Sequence, residues 1–162
     1  MKAQINIRFA KPGDEAVILD FIRGLAAYEN MSGDVVATEE LLHEWIFEKQ
    51  KAEVLFAVVD GKEVGIALFF HSFSTFLGRA GIYLEDLFVL PEYRGQGCGT
   101  ALLTRLAQIT LERGCGRLEW ACLDWNTPSI DFYTKRMQAV PMDEWTVYRL
   151  TGETLEQAAK PE

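Results

Sequence analysis

The residues best placed by type and spacing to do chemistry lie in one stretch, Tyr83 to Thr100. An aromatic and branched run from Ile82 to Leu90 predicts a strand, with Glu85 and Asp86 set side by side within it. Pro91 cannot donate to a strand ladder and ends it. Arg94 follows, then glycines at 95, 97 and 99, with Gln96, Cys98 and Thr100 between and after them. A helical pattern starts at once, carried by Leu102, Leu103, Leu106, Ile109 and Thr110. Glycines at such a junction let backbone N–H groups come close to an anion, and the helix N-terminus adds donors and partial positive charge. With the charge of Arg94 beside them, the chemistry is that of a diphosphate cradle. A plain strand-to-helix turn is the other reading of the same glycines. Their period of two fits neither G-x-G-x-x-G nor G-x-x-x-x-G-K-[ST].

Composition narrows the classes. The chain has 162 residues, 49% hydrophobic, which suits a single folded domain. No apolar run reaches the ~18 residues of a membrane span, and the N-terminus has no signal-peptide core, so a cytoplasmic location is expected. Cys98, Cys115 and Cys122 form no C-x-x-C pair, and His43 and His71 lie far apart, so neither a disulfide framework nor a metal site is expected. A net charge of −8 argues against a nucleic-acid partner. It suits a cationic substrate, or simply solubility.

The elements that position the stretch follow from pattern. Residues 3–9 alternate as a strand. Asp14 is placed to cap a helix carrying Val17, Ile18, Phe21, Ile22, Leu25 and Tyr28. Thr38 caps a second, with Leu41, Leu42, Trp45 and Ile46 on one face. Glu53–Val59 and Glu63–Phe73 read as a hairpin turned at Asp60-Gly61, with Gly65 a possible bulge. Residues 74–81 connect to the central strand, and its long helix ends at Gly114-Cys115-Gly116. Leu118–Leu123 reads as a strand. Thr127 caps a short helix with Pro128 at its first position, bearing Ile130, Phe132, Tyr133 and Met137. Val140–Leu150 holds two short strand candidates, and residues 154–159 a small terminal helix. The order predicts a mixed α/β domain.

This order, and the run Arg94-x-x-Gly97-x-Gly99, resemble the GNAT acetyltransferase superfamily. Tyr83-Leu84-Glu85-Asp86, Glu92 to Gly99, Leu123-Asp124-Trp125-Asn126 and Phe132-Tyr133 resemble its diamine branch, the spermidine/spermine and thialysine acetyltransferases, as does Leu25-Ala26-Ala27-Tyr28-Glu29. The resemblance implies a GNAT fold over residues 1–162, with a core of about 3–150: a single α/β domain whose mixed, mostly antiparallel sheet is flanked by helices. It implies acetyl-CoA as co-substrate, a small amine as acceptor, no metal and a homodimer.

It also implies roles. Backbone at Leu87, Phe88 and Val89 would pair with the pantetheine arm, and Arg94, Gly95, Gln96, Gly97, Cys98, Gly99 and Thr100 would hold the pyrophosphate. Asn126, Ser129 and Arg136 would contact the cofactor. Tyr133 would be the general acid, protonating the departing thiolate, although its spacing also suits a core aromatic. Adjacent strand residues face opposite ways, so one of Glu85 and Asp86 should face the amine. The family pattern implies Glu85, as a base through water or as an amine ligand. Tyr28, Glu29, Glu119, Trp120, Ala121 and Glu144 would line the amine site. Three departures from the polyamine enzymes favour a shorter amine: no acid in Phe73 to Arg79, Gln138 in place of a glycine after the tyrosine helix, and the thialysine-type Asp124. A non-catalytic acyl-CoA sensor and a protein-lysine acetyltransferase are the competing readings.

Overall fold

The computed structural model of the chain describes residues 4–161. They form two compact units, one running to Ala121 and the other starting at Cys122.

The first unit is built on a five-stranded sheet in the order β1-β2-β3-β4-β5. Its strands are β1 (Asn6–Phe9), β2 (Glu53–Val59), β3 (Lys62–Ser74), β4 (Arg79–Val89) and β5 (Leu118–Trp120). The first three pairings are antiparallel. β5 runs parallel to β4. That pair needs a crossover, which α3 (Cys98–Glu112) supplies. The β2–β3 hairpin turns at Asp60 (φ +50°) and Gly61 (φ +76°), the two positive φ values that a type I′ turn requires.

Helix α1 (Glu15–Tyr28) covers one face of the sheet. Its Ile18 and Phe21 pack with Val54, Phe56, Ile66 and Phe88, and with Ile46 from the turn after α2 (Glu39–Leu42). The Phe21 and Phe88 rings meet edge-on at 6.4 Å. Helix α3 covers the opposite face with Leu102, Leu103, Leu106 and Ile109 buried. A Cβ at Gly65 would lie 3.3 Å from Leu102 Cδ1, so the missing side chain is what lets α3 approach β3.

Several local expectations are corrected. Leu41 and Trp45 are exposed, while Leu42 and Ile46 turn inward. The chain passes from α2 into a π-helical turn, His43–Glu48, whose wider winding shifts the phase of the apolar stripe. The β2–β3 bulge falls on Val64, not Gly65, because the register steps from Ala57–Gly65 to Val58–Glu63. Strand β4 starts at Arg79, inside the expected connection. Strand β5 stops at Trp120 instead of Leu123. Its ladder follows Ile82–Leu118, Tyr83–Glu119 and Leu84–Trp120. The next position on β4 is Glu85, an extra residue between the Leu68–Asp86 and Phe69–Leu84 pairs. A bulged residue breaks the ladder there.

The second unit holds α4 (Thr127–Asp131), which continues as a π-helical turn, Phe132–Arg136, and α5 (Gly152–Ala158). Asn126, not Thr127, is the N-cap residue of α4. Gln138 takes the left-handed φ of +58° after the helix, so the turn keeps a glycine-like conformation without glycine. The two strand candidates in Val140–Leu150 do not form. Trp145, Val147 and Tyr148 are exposed there, and a short strand is not stable without a partner edge.

Candidate active site

Strand β4 is paired on both sides only over Ile82–Leu84. From Glu85 to Val89 its ladder is with β3 alone among the described residues. That leaves one backbone edge, including Leu87, Phe88 and Val89, able to take an extended ligand as an added strand. The strand runs into the glycine loop. Gly95 (φ +77°) and Gly97 (φ +96°) hold left-handed conformations. Gly97 is the N-cap residue of α3, and Ala101 N–H makes the first helical bond to its carbonyl at 2.9 Å. The N–H groups of Cys98, Gly99 and Thr100 precede that bond and form the donor end of a 15-residue helix. An open edge leading to such a loop fits a diphosphate with a long linear arm. The residues expected at the cradle are thus brought together by one strand, one loop and one helix start.

Arg94 is arranged differently from a simple phosphate ligand. Its Nε donates to the Val89 carbonyl at 3.0 Å. Its guanidinium lies over the Tyr28 ring at 5.0 Å and the Phe88 ring at 5.3 Å. The end of α1 is therefore tied to the end of β4 by a cation on an aromatic face. Cys98 is buried at the helix start, and burial raises its thiol pKa, as suits a small apolar filler. The Gln96 amide donates to the Glu92 carbonyl at 3.2 Å, within the loop.

The carboxylates near this end differ from the alternation argument. The bulge at Glu85 breaks the strict in-and-out pattern of β4. Glu85 is exposed, whereas Asp86 is half-buried. Burial pushes the Asp86 carboxyl up to about 6, and the charges of Glu85 and Glu29 add to the rise. Glu29 is itself raised by burial. Tyr83 is raised by burial, then by Glu85 and Glu119. The charges of Glu85 and Glu29 thus both act on Asp86. Asp86 is the member of the carboxylate pair that the fold partly buries. Its position in an apolar strand was the available signal, and the sequence reading had weighed it beside Glu85.

Glu119 sits on β5 and pairs with Arg117 at 2.9 Å. Trp120 is half-buried and Ala121 exposed at the strand end. In the second unit, Asn126 is buried at 7% exposure, and its carbonyl accepts the Ile130 N–H at 3.0 Å. Ser129 and Tyr133 are half-buried, while Arg136 and Glu144 are exposed. The Tyr133 and Phe132 rings lie 5.7 Å apart. The Tyr133 carbonyl accepts from Ala139 N–H at 2.9 Å, closing the turn after the helix.

A mixed sheet with a half-open β4 edge, a glycine loop and a helix start is an architecture for a nucleotide-linked acyl carrier. The chain belongs to the GNAT acetyltransferase family, whose model matches residues 23–137. It is 40% identical to the thialysine N-epsilon-acetyltransferase of Bos taurus, an alignment covering 97% of this chain and 98% of that one. It is 31% identical to the spermidine/spermine N(1)-acetyltransferase-like protein 1 of Homo sapiens, over 93% of this chain and 23% of that protein. Among solved structures, an integron cassette protein from the mobile metagenome of V. cholerae superposes with a TM-score of 0.80. That match has 29% identity and covers 99% of each chain.

Proposed function

We propose that this enzyme transfers an acetyl group from acetyl-CoA to a primary amine of a small molecule: a diamine, a polyamine or a lysine-like amino acid. The observation that carries the reading is the cation-seeking end of α1, where Tyr28 and Glu29 adjoin the acidic bulge of β4. It lies at the end of a strand edge suited to the pantetheine arm. The full-length similarity to a thialysine N-epsilon-acetyltransferase supports the same class of acceptor.

Acetyl-CoA supplies the activated thioester. Leu87, Phe88 and Val89 offer backbone groups to its arm, the amides of Gly95 to Thr100 hold its pyrophosphate, and Asn126, Ser129 and Arg136 add contacts. Tyr28, Glu29, Glu85, Glu119, Trp120, Ala121 and Glu144 bind and orient the amine, which attacks directly while both substrates are bound. Tyr133 delivers a proton to the departing sulfur. The whole chain works as one catalytic domain, as a cytoplasmic homodimer. The exposed Trp145, Val147 and Tyr148 are the surface that a second copy would cover.

The test is CoA release from acetyl-CoA with thialysine, lysine, putrescine, spermidine, spermine and a histone-tail peptide. Turnover should be greatest with a free small amine, and Tyr133→Phe should lower kcat by about 10²–10⁴, the usual worth of a general acid. Turnover confined to the peptide would replace this reading with protein-lysine acetylation. Tight acetyl-CoA binding with no turnover on any member would replace it with a sensor.

A further inference from the structure

We propose that Asp86 is the proton acceptor for the incoming ammonium group, with Glu29 and Glu85 as the charges that position and tune it. The proposal rests on the amine-acetylation reading above and refines its chemistry.

The bulge is the first observation. It inserts Glu85 as the unpaired residue of β4 and returns Asp86 to the ladder opposite Leu68. Leu68 packs on the same core cluster as Phe88 and Ile66, so Asp86 faces the side of the sheet that α1 covers. Glu85 stays exposed. Asp86 is half-buried at the start of the open edge, one residue before the Leu87–Val89 backbone expected to hold the thioester arm.

A second observation bears on the charge of the ligand. The Tyr28 ring, one residue from Glu29, already carries a guanidinium, that of Arg94 at 5.0 Å. The same guanidinium lies 5.3 Å from the ring of Phe88, two residues beyond Asp86. The protein's own cation thus occupies the kind of aromatic seat that suits a substrate ammonium. A diphosphate bound at the glycine loop would draw Arg94 toward it and free that face for the amine.

The charges acting on Asp86 are Glu85 from the bulge and Glu29 from the end of α1. Its β3 partner, Leu68, is neutral. Glu119 of β5 acts instead on Tyr83 and is paired with Arg117. With like charges on two sides and partial burial, Asp86 titrates at about 6. It is therefore mostly ionised at neutral pH yet basic enough to take a proton, the balance a general base needs. The proton count closes. An ammonium carries three N–H protons. One passes to the Asp86 carboxylate and then to solvent, giving the free amine. Its lone pair forms the C–N bond as the C–S bond breaks. A second proton ends on sulfur, and the third remains on the amide nitrogen.

The experiment is the pH profile of kcat/KM for the best amine in wild type, Asp86→Asn, Glu85→Gln and Glu29→Gln. Acetyl-CoA affinity of each variant serves as the folding control. Wild type should show an acid limb near pH 6. Asp86→Asn should lose about 10²–10⁴ in kcat/KM at pH 8 and show no such limb. Glu29→Gln and Glu85→Gln should keep the limb but move it to lower pH, since each removes a charge that raises Asp86. A purely structural role for Asp86 would not produce those displacements. A limb that persists in Asp86→Asn, or disappears in Glu85→Gln, overturns the proposal while leaving the acetyltransferase reading intact. If Asp86→Asn fails to bind acetyl-CoA, an unmoved limb in both glutamate variants overturns it. If wild type acetylates no amine, both readings fall together.

Discussion

At the scale of single residues, the glycine loop before α3 separates backbone demands from ligand demands. Gly97 holds φ +96°, where an L side chain costs ~1–2 kcal/mol. Gly99 has an ordinary φ, and a Cβ there meets open space. Gly97→Ala should therefore lower the melting temperature and weaken acetyl-CoA binding by about ten-fold. Gly99→Ala should leave the melting temperature unchanged and weaken binding through contact with the ligand alone. Calorimetry of each variant with and without acetyl-CoA checks both. Equal affinity of Gly99→Ala and wild type would show that the pyrophosphate lies elsewhere. Arg94 belongs to the same logic. Its guanidinium is held on rings and its Nε on a carbonyl, so cofactor binding must compete with contacts that already satisfy it.

At the scale of elements, α1 and the π-helical turn after α2 are tied by one ion pair. His43 Nδ1 lies 2.8 Å from Glu15 Oε1, and its Nε2 lies 3.3 Å from Glu48. The Glu15 hydrogen bond raises His43 above its ordinary 6.5, and His43 lowers Glu15 below its ordinary 4.5. A raised histidine contributes stability that is complete below its unfolded value and is lost as pH rises through the folded one. A lowered glutamate contributes stability that is present above its unfolded value and is lost as pH falls through the folded one. The tie is therefore strongest between about pH 4.5 and 6.5. His43 is largely solvated, so the effect is small. Melting curves should show wild type losing slightly more stability between pH 6 and 9 than His43→Gln does. Identical pH slopes in the two proteins would refute the tie. The bulge at Glu85 is the other consequence at this scale, since one extra residue both ends β5 and selects which carboxylate is buried.

At the scale of the whole molecule, the apolar inventory of the C-terminal unit is the informative feature. Val140, Trp145, Val147 and Tyr148 are each more than 70% exposed, at 77%, 76%, 83% and 91%. A homodimer covering them should run at twice the monomer mass of 18.3 kDa in light scattering. Trp145→Asp with Val147→Asp should shift that mass to the monomer, because burying charge without a partner is costly. A monomeric wild type at micromolar concentration would sink the dimer. No helix among the described residues is long and apolar enough to cross a membrane.

The sequence alone determined whatever depends on neighbours along the chain. The Asp60-Gly61 hairpin, the strand–glycine loop–helix unit and the Thr38 cap, whose side chain accepts from Leu41 N–H at 3.1 Å, all rest on local backbone preference and short periodicity. The family also followed from local motifs in the right order. The tertiary structure decided the rest. Bulge positions depend on strand register, which no single segment encodes. The helical phase of residues 39–48 was reset by a π-turn that only packing reveals. The two strand candidates after Val140 had the right composition but form no ladder among the described residues. The Asp86 carboxyl is raised by burial, by Glu85 beside it and by Glu29, a charge distant in sequence. Desolvation and Coulomb interactions act through space, so the titration of this site belongs to the folded chain and not to the order of its residues.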